Sequence, residues 1–191
     1  MTAKILINTW FYDLLGKRSY SQSGEDMILR SIFDDKKEGF YVDVGAFHPK
    51  LYSNTYYFYK RGWRGINIEP NPGANFGIRK GDINLKCGIG LRQRKYQQFK
   101  DGALNKFGEI GKDVEIRKLD DVLQEHKVKK IDFLSVDTEG MDLEVLQSNN
   151  WEKYRPEVVL VEEEKAGKFL EKRGYELVGK TPLTRIYKSH F

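Results

Sequence analysis

The chain has 191 residues, of which 33 are Lys or Arg and 28 are Asp or Glu, for a formal net charge of +5. That length suits one domain of ordinary size, and 39% hydrophobic with 13% aromatic residues supplies a core, which excludes intrinsic disorder. The charge imbalance is too mild for a dedicated nucleic-acid binder.

A single cysteine, Cys87, excludes an intrachain disulfide and a Cys-rich zinc site and fits a reducing, cytoplasmic setting. Residues 5–15 are interrupted by Asn8, Thr9 and Asp13 and fall short of the roughly 20 apolar residues that span a bilayer, so no transmembrane segment is expected. They also lack a basic n-region and a small-residue cleavage site. Residues 1–20 therefore read as an amphipathic helical arm, with Leu6, Trp10 and Leu14 on one face. Such an arm packs on its own domain or on a second subunit, which leaves a homodimer open. Residues 21–191 read as one continuous domain, without repeats or a low-complexity linker.

Within that domain, Ser23 and Asp26 have capping-box spacing ahead of Met27, Ile28, Ile32 and Phe33. YVDVGAF (41–47) reads as a buried strand, SNTYYFYKRG (53–62) as a helix stopped by glycine, and GINIEP (65–70) as a strand stopped by proline. A short helix precedes a third strand, INLKCGIG (83–90). A linking segment then leads to LDDVLQEH, where Asp120 or Asp121 offers an N-cap. IDFLSVDTEG (131–140) is a strand, DLEVLQSN a helix and EVVLVEE (157–163) a strand. After AGKFLEKRG, the segments YELVGKT and TRIYKS flank Pro182 and Leu183 as a closing hairpin. Alternation of this kind predicts a parallel sheet with helices on both faces.

In an open parallel sheet, ligands bind outside the carboxyl ends of the strands. Here those ends are acidic: Asp43, Glu69, Asp137, Glu139 and the run 162–164. A mildly basic protein that gathers carboxylates at one edge points to a cationic or polyhydroxyl ligand. The turn after the first strand, Gly45-Ala46-Phe47-His48-Pro49, lacks the three glycines of a dinucleotide site, and no phosphate loop is present. S-adenosylmethionine carries no phosphate, so one glycine suffices. Glu69, 26 residues after Asp43, stands where an acid accepts hydrogen bonds from ribose hydroxyls.

YVDVGAFHP, SNT, INIEPNP, INLKCGIG, LDDVL and IDFLSVDTEGMDLEVL, in this order and spacing, resemble the FkbM-type methyltransferases, as does SQSGED (21–26) ahead of them. The resemblance runs from Ser21 to about Glu163. It implies a Rossmann-like class I methyltransferase fold: a mostly parallel seven-stranded sheet with a C-terminal antiparallel hairpin and helices on both faces. It also implies S-adenosylmethionine as cofactor and O-methylation of a sugar or natural product. Asp43, Gly45 and Ala46 would form the cofactor loop, Ser53, Asn54 and Thr55 would meet the methionine end, Glu69 the ribose, and Cys87 and Gly88 the adenine. Gln22 and Glu25 acquire a cofactor or substrate role through the same resemblance.

Methyl transfer from a sulfonium needs in-line alignment and removal of one hydroxyl proton, for which Asp137, Glu139 and His48 are the candidates. The acids at 137, 139 and 162–164 also suit Mg²⁺, but no ligand spacing is diagnostic and no metal is expected. The leading expectation is an O-methyltransferase acting on a saccharide or sugar-bearing small molecule. The alternatives are a nucleic-acid ribose 2′-O-methyltransferase, with RQRK (92–95) and KVKK (127–130) tracking phosphates and Lys60 or Lys165 near the acids, and a non-catalytic cofactor-binding module.

Overall fold

The computed structural model describes residues 18–92, 94–99 and 112–190, with side chains for 18–92 and 114–190. The greater part of the N-terminal arm, and with it the dimer expectation, lies outside the described residues. In chain order the elements are α1 (Glu25–Ile32), β1 (Phe40–Val44), α2 (Tyr56–Lys60), β2 (Arg64–Ile68), a 3-10 turn (Phe76–Ile78), β3 (Ile83–Leu85), β4 (Gly88–Ile89), β5 (Arg94–Phe99) and β6 (Lys112–Arg117). They continue with α3 (Leu119–Glu125), β7 (Phe133–Val136), α4 (Asp142–Gln147), β8 (Val158–Val161), α5 (Glu164–Glu171), β9 (Tyr175–Lys180) and β10 (Arg185–Ser189).

Seven strands form one sheet in the order β3-β2-β1-β7-β8-β10-β9. The pairs from β3 through to β8 are parallel, and β10 runs antiparallel to both β8 and β9. This is the expected sheet with its closing hairpin. The strand order switches between β1 and β7, so the crevice outside their carboxyl ends is the natural ligand site.

Strand residues alternate between two buried layers. Val42, Val44, Ile66, Leu134, Val136 and Val159 pack with Leu119 and Leu123 of α3, Val145 and Leu146 of α4, and Leu170 of α5. On the opposite face, Tyr41, Phe133, Leu160 and Ile186 meet Leu29 of α1, Phe58 of α2, Phe33 and Trp63. Rings fill this second layer, with Phe58 4.8 Å from Trp63 and 5.0 Å from Phe133, centroid to centroid. Parallel register keeps partners on one face, so Asn84, Asn67, Asp43 and Ser135 make a polar row across four strands just beyond the aromatic layer. That row carries the site.

Five local expectations are corrected. INLKCGIG is not one strand: Glu69 N–H closes the β2–β3 ladder on the Leu85 carbonyl, Pro70 has no N–H to extend it, and β4 leaves to pair with β6. The linking segment contains β5 and β6, which with β4 form a three-stranded sheet. Neither Asp120 nor Asp121 is the N-cap of α3. Lys118 is, and Ser148 satisfies the helix end, its Oγ accepting from Leu119 N–H and its carbonyl from Asp120 N–H. Before α1 the N-cap is Gly24, at φ +89°, rather than Ser23, and Ser21 Oγ accepts from Asp26 N–H in the first turn at 3.2 Å. The helix expected over 53–62 begins only at Tyr56, because Ser53 Oγ caps it by accepting from Tyr56 N–H.

Candidate active site

Gly45 is the point of closest approach between two strand ends. Its φ is +82°, and a Cβ there would overlap the Asp137 carbonyl oxygen. Gly45 and Ala46 N–H donate to the Ile68 carbonyl, and Asp137 N–H donates to the Val44 carbonyl. The loop after β1 is thereby tied to the ends of both neighbouring strands. Beyond it, Phe47 (φ 47°) and Tyr52 (φ 56°) occupy left-handed conformations that bulky residues seldom adopt. His48 steadies this stretch, its Nδ1 accepting from Lys50 and Leu51 N–H at 3.0 and 2.9 Å.

Asp43 is buried, and burial pushes its carboxyl up to about 6. Its Oδ2 accepts from Thr55 Oγ1 at 3.0 Å. Ser53 and Thr55 are buried with their hydroxyls turned inward on each other, whereas Asn54 reaches Ser135 Oγ with its Nδ2. Of the three residues expected at the methionine end, only Asn54 keeps appreciable surface. Glu69 stands just past β2, where Oε2 accepts from Phe47 N–H and Oε1 from Asn71 N–H, both at 2.8 Å. Burial raises its proton affinity, and each oxygen retains a lone pair for a further donor. Cys87 and Gly88 are buried, with the thiol pushed up to about 11 by burial, which makes it an inert packing group rather than a nucleophile.

Asp137 continues β7 into the crevice. Burial first, then the charges of Glu162, Asp142, Glu139 and Asp43, push it up to about 8. Glu162, past β8, is pushed up to about 7 by burial and by Asp142, Glu139 and Glu25. The charges acting most strongly on both are carboxylates, so the crevice favours a cation. Neither Lys60, which reaches the Tyr20 hydroxyl, nor exposed Lys165 is among them. Glu139 sits at φ 52° next to Gly140 at φ 93°, in a tight turn after the strand. Among the described residues, no three His, Cys, Asp or Glu side chains converge as a metal site.

Sequence reasoning missed two residues that hold this arrangement. Asp142, fully buried, accepts from Thr138 N–H and Oγ1 with one oxygen and from Glu162 and Glu163 N–H with the other. It joins the loop after β7 to the loop after β8. Its signal was an acid opening a helix directly after a strand-end turn. Arg79, buried behind Asp43, had no signal at all. Gln22 is exposed, while Glu25 is buried, accepting from Thr181 and Thr184 hydroxyls at 2.7 and 3.3 Å and so tying α1 to the β9–β10 turn beside Glu162.

The sheet order, the glycine crossing at its switch point and the acids beyond the strand ends define a Rossmann-like methyltransferase. The family model described as Methyltransferase FkbM domain matches residues 43–177, well over half of the chain, and the chain belongs to that family. No curated protein and no solved structure matched.

Proposed function

We propose that this methyltransferase uses S-adenosylmethionine to methylate a hydroxyl of a saccharide or sugar-bearing small molecule, in the cytoplasm. The observation that carries the reading is Asp137, held against Gly45 at the switch point among carboxylates. The residues fit the cofactor: glycine admits close approach at the crossing, and Glu69 has lone pairs left for ribose hydroxyls. Acids around Asp137 favour a sulfonium. Asp43, Gly45 and Ala46 would hold the cofactor from the β1 side, with Asn54 toward the methionine end and Cys87 and Gly88 toward the adenine. When bound, the cofactor supplies an electrophilic methyl on a cationic sulfur.

Asp137 orients the acceptor hydroxyl and takes its proton as the oxygen becomes methylated. A cation beside it lowers its proton affinity again, restoring the ionised form that burial disfavours. Hydroxyls suit such an acidic edge, since they donate to carboxylates, whereas phosphates are repelled. KVKK (127–130) precedes β7 and so lies at the opposite edge of the sheet, where Lys130 pairs with Asp132. Among the described residues, no helix is long and apolar enough to cross a membrane.

The test is incubation with methyl-labelled S-adenosylmethionine and a panel of glycans, nucleotide sugars and RNA. Label is expected on a sugar hydroxyl of a glycan or nucleotide sugar. Label on RNA alone transfers the protein to ribose 2′-O-methylation, and failure to bind the cofactor removes the reading.

A further inference from the structure

We propose that Arg79 is a positioning residue for the cofactor loop, a buried guanidinium that fixes both ends of the segment following that loop, residues 49–55, and orders the Thr55 hydroxyl so that it donates to Asp43. The proposal rests on the reading of Asp43 and Gly45 as the cofactor loop.

Arg79 is 1% exposed and lies in a segment, GIRKGD, whose composition is that of a surface loop. Its partners explain the burial. Nε donates to Asp82 at 2.9 Å, Nη1 to the Pro49 carbonyl at 2.8 Å, and Nη2 to the Tyr41 hydroxyl at 2.8 Å and Thr55 Oγ1 at 2.9 Å. The Tyr59 ring covers the guanidinium at 4.6 Å. Asp82 is itself fixed by the Tyr41 hydroxyl, Gly65 N–H and Asn67 Nδ2, so the cation is held in place from behind the sheet row. Pro49 and Thr55 bracket the strained stretch that contains Tyr52. One planar fork, with donors in fixed directions, therefore sets the separation of that segment's two ends.

Proton counting gives the network a direction. A hydroxyl carries a single proton, and Thr55 Oγ1 already accepts from Arg79, so that proton is directed to Asp43 Oδ2, 3.0 Å away. Ser53 Oγ, 3.2 Å from Thr55 Oγ1, then supplies its own proton to the remaining lone pair. A donated hydroxyl favours the ionised carboxylate. Burial and the carboxylates of Glu69 and Asp137 oppose ionisation of Asp43, while Arg79 and the hydroxyls of Thr55 and Ser135 favour it. A buried carboxylate without this cation would take up a proton and cease to be an acceptor for an ammonium or hydroxyl donor.

The experiment follows the Asp43 carboxyl by ¹³C NMR titration in the full chain and measures S-adenosylmethionine binding by calorimetry, for wild type, T55V, T55S and R79K. T55V is nearly isosteric and loses the hydroxyl; it is expected to raise the Asp43 midpoint by about one pH unit and so weaken cofactor binding by about twofold at about pH 7. T55S should titrate like wild type. R79K keeps the charge but cannot reach Pro49 and Thr55 together, and should shift the midpoint upward as T55V does. Should R79K fail to fold, the T55V and T55S pair decides. An unchanged Asp43 midpoint in T55V, or unchanged cofactor affinity despite a shifted midpoint, overturns the proposal. A shifted midpoint in a protein whose wild type binds no S-adenosylmethionine keeps the relay and removes the cofactor reading instead.

Discussion

Gly45 and Asp137, 92 residues apart in sequence, cross so closely that the space for a Cβ on Gly45 is taken by the Asp137 carbonyl oxygen. Both the crowding and the φ of +82° forbid a side chain there. Gly45→Ala must therefore push β1 and β7 apart at the switch point, at a cost of about 2–4 kcal/mol in folding stability. Urea denaturation should show it, together with lost cofactor affinity. A variant as stable as wild type would mean the crossing relaxes without strain.

Asp137 and Glu162, pushed up to about 8 and about 7, give the protein a definite pH response. A carboxyl with a raised folded pKa keeps its proton where the unfolded chain has lost it, so its contribution to stability declines as pH rises from about 4 through the folded value. The ligand-free Tm should fall between pH 6 and 8.5. A sulfonium favours the ionised site, so S-adenosylmethionine affinity should rise with pH up to about 8, by at most about tenfold per unit for each group. S-adenosylhomocysteine, a neutral thioether, should bind with little dependence on this group. Parallel pH profiles for the two ligands would move the sulfonium away from Asp137.

The strands that place these acids were legible because VVLV is a continuous apolar run and FLSV is one broken only by Ser135, the mark of strands buried on both faces. That Asp137 ends a strand was legible too, from the alternation of strand and helix, whereas the placing of that strand beside the first is seen only in the pairing of β1 with β7. What escaped depends on distant partners. Ser148 satisfies the start of α3 from 29 residues away, and Arg79 is buried by Pro49, which lies 30 residues before it, as well as by Thr55. The strand KDVEIR of β6 alternates but carries only two apolar residues, too weak a pattern to separate from a linker.

Glu69 has two duties on the proposed reading, closing the cofactor loop through Phe47 N–H and accepting from the ribose. Glu69→Ala should weaken S-adenosylmethionine binding by about 1–3 kcal/mol, the cost of removing hydrogen bonds to a charged acceptor. Calorimetry measures it. Undiminished affinity would take Glu69 out of the ribose site and leave it as a loop fastener.

Acceptor recognition should depend weakly on salt, because the strand ends are acidic and KVKK lies at the far edge of the sheet. Turnover on the sugar acceptor is expected to change only modestly between about 50 and 200 mM salt. Multi-phosphate contacts lose about a thousandfold or more over that range, and a fall of that size would favour a nucleic-acid acceptor.

On the proposed reading Asp137 accepts the proton in preference to His48, and the contacts of the histidine support that choice. Nδ1 of His48 accepts two loop amides, so the neutral ring carries its proton on Nε2 and has no free lone pair for an acceptor hydroxyl. Among the described residues no hydrogen bond engages the Asp137 carboxylate, so its oxygens can take the hydroxyl proton, and burial disfavours its charged form. General base catalysis typically contributes about 10²–10⁴ in rate, and Asp137→Asn, which keeps the shape, should lose a factor of that order in kcat while cofactor affinity changes far less. His48→Gln should loosen the loop and cost less, mostly in KM. Steady-state kinetics of both variants decides between them: near-normal turnover in Asp137→Asn, with abolished turnover and intact cofactor binding in His48→Gln, would transfer the base to the histidine and require it to exchange its two amide contacts for the substrate.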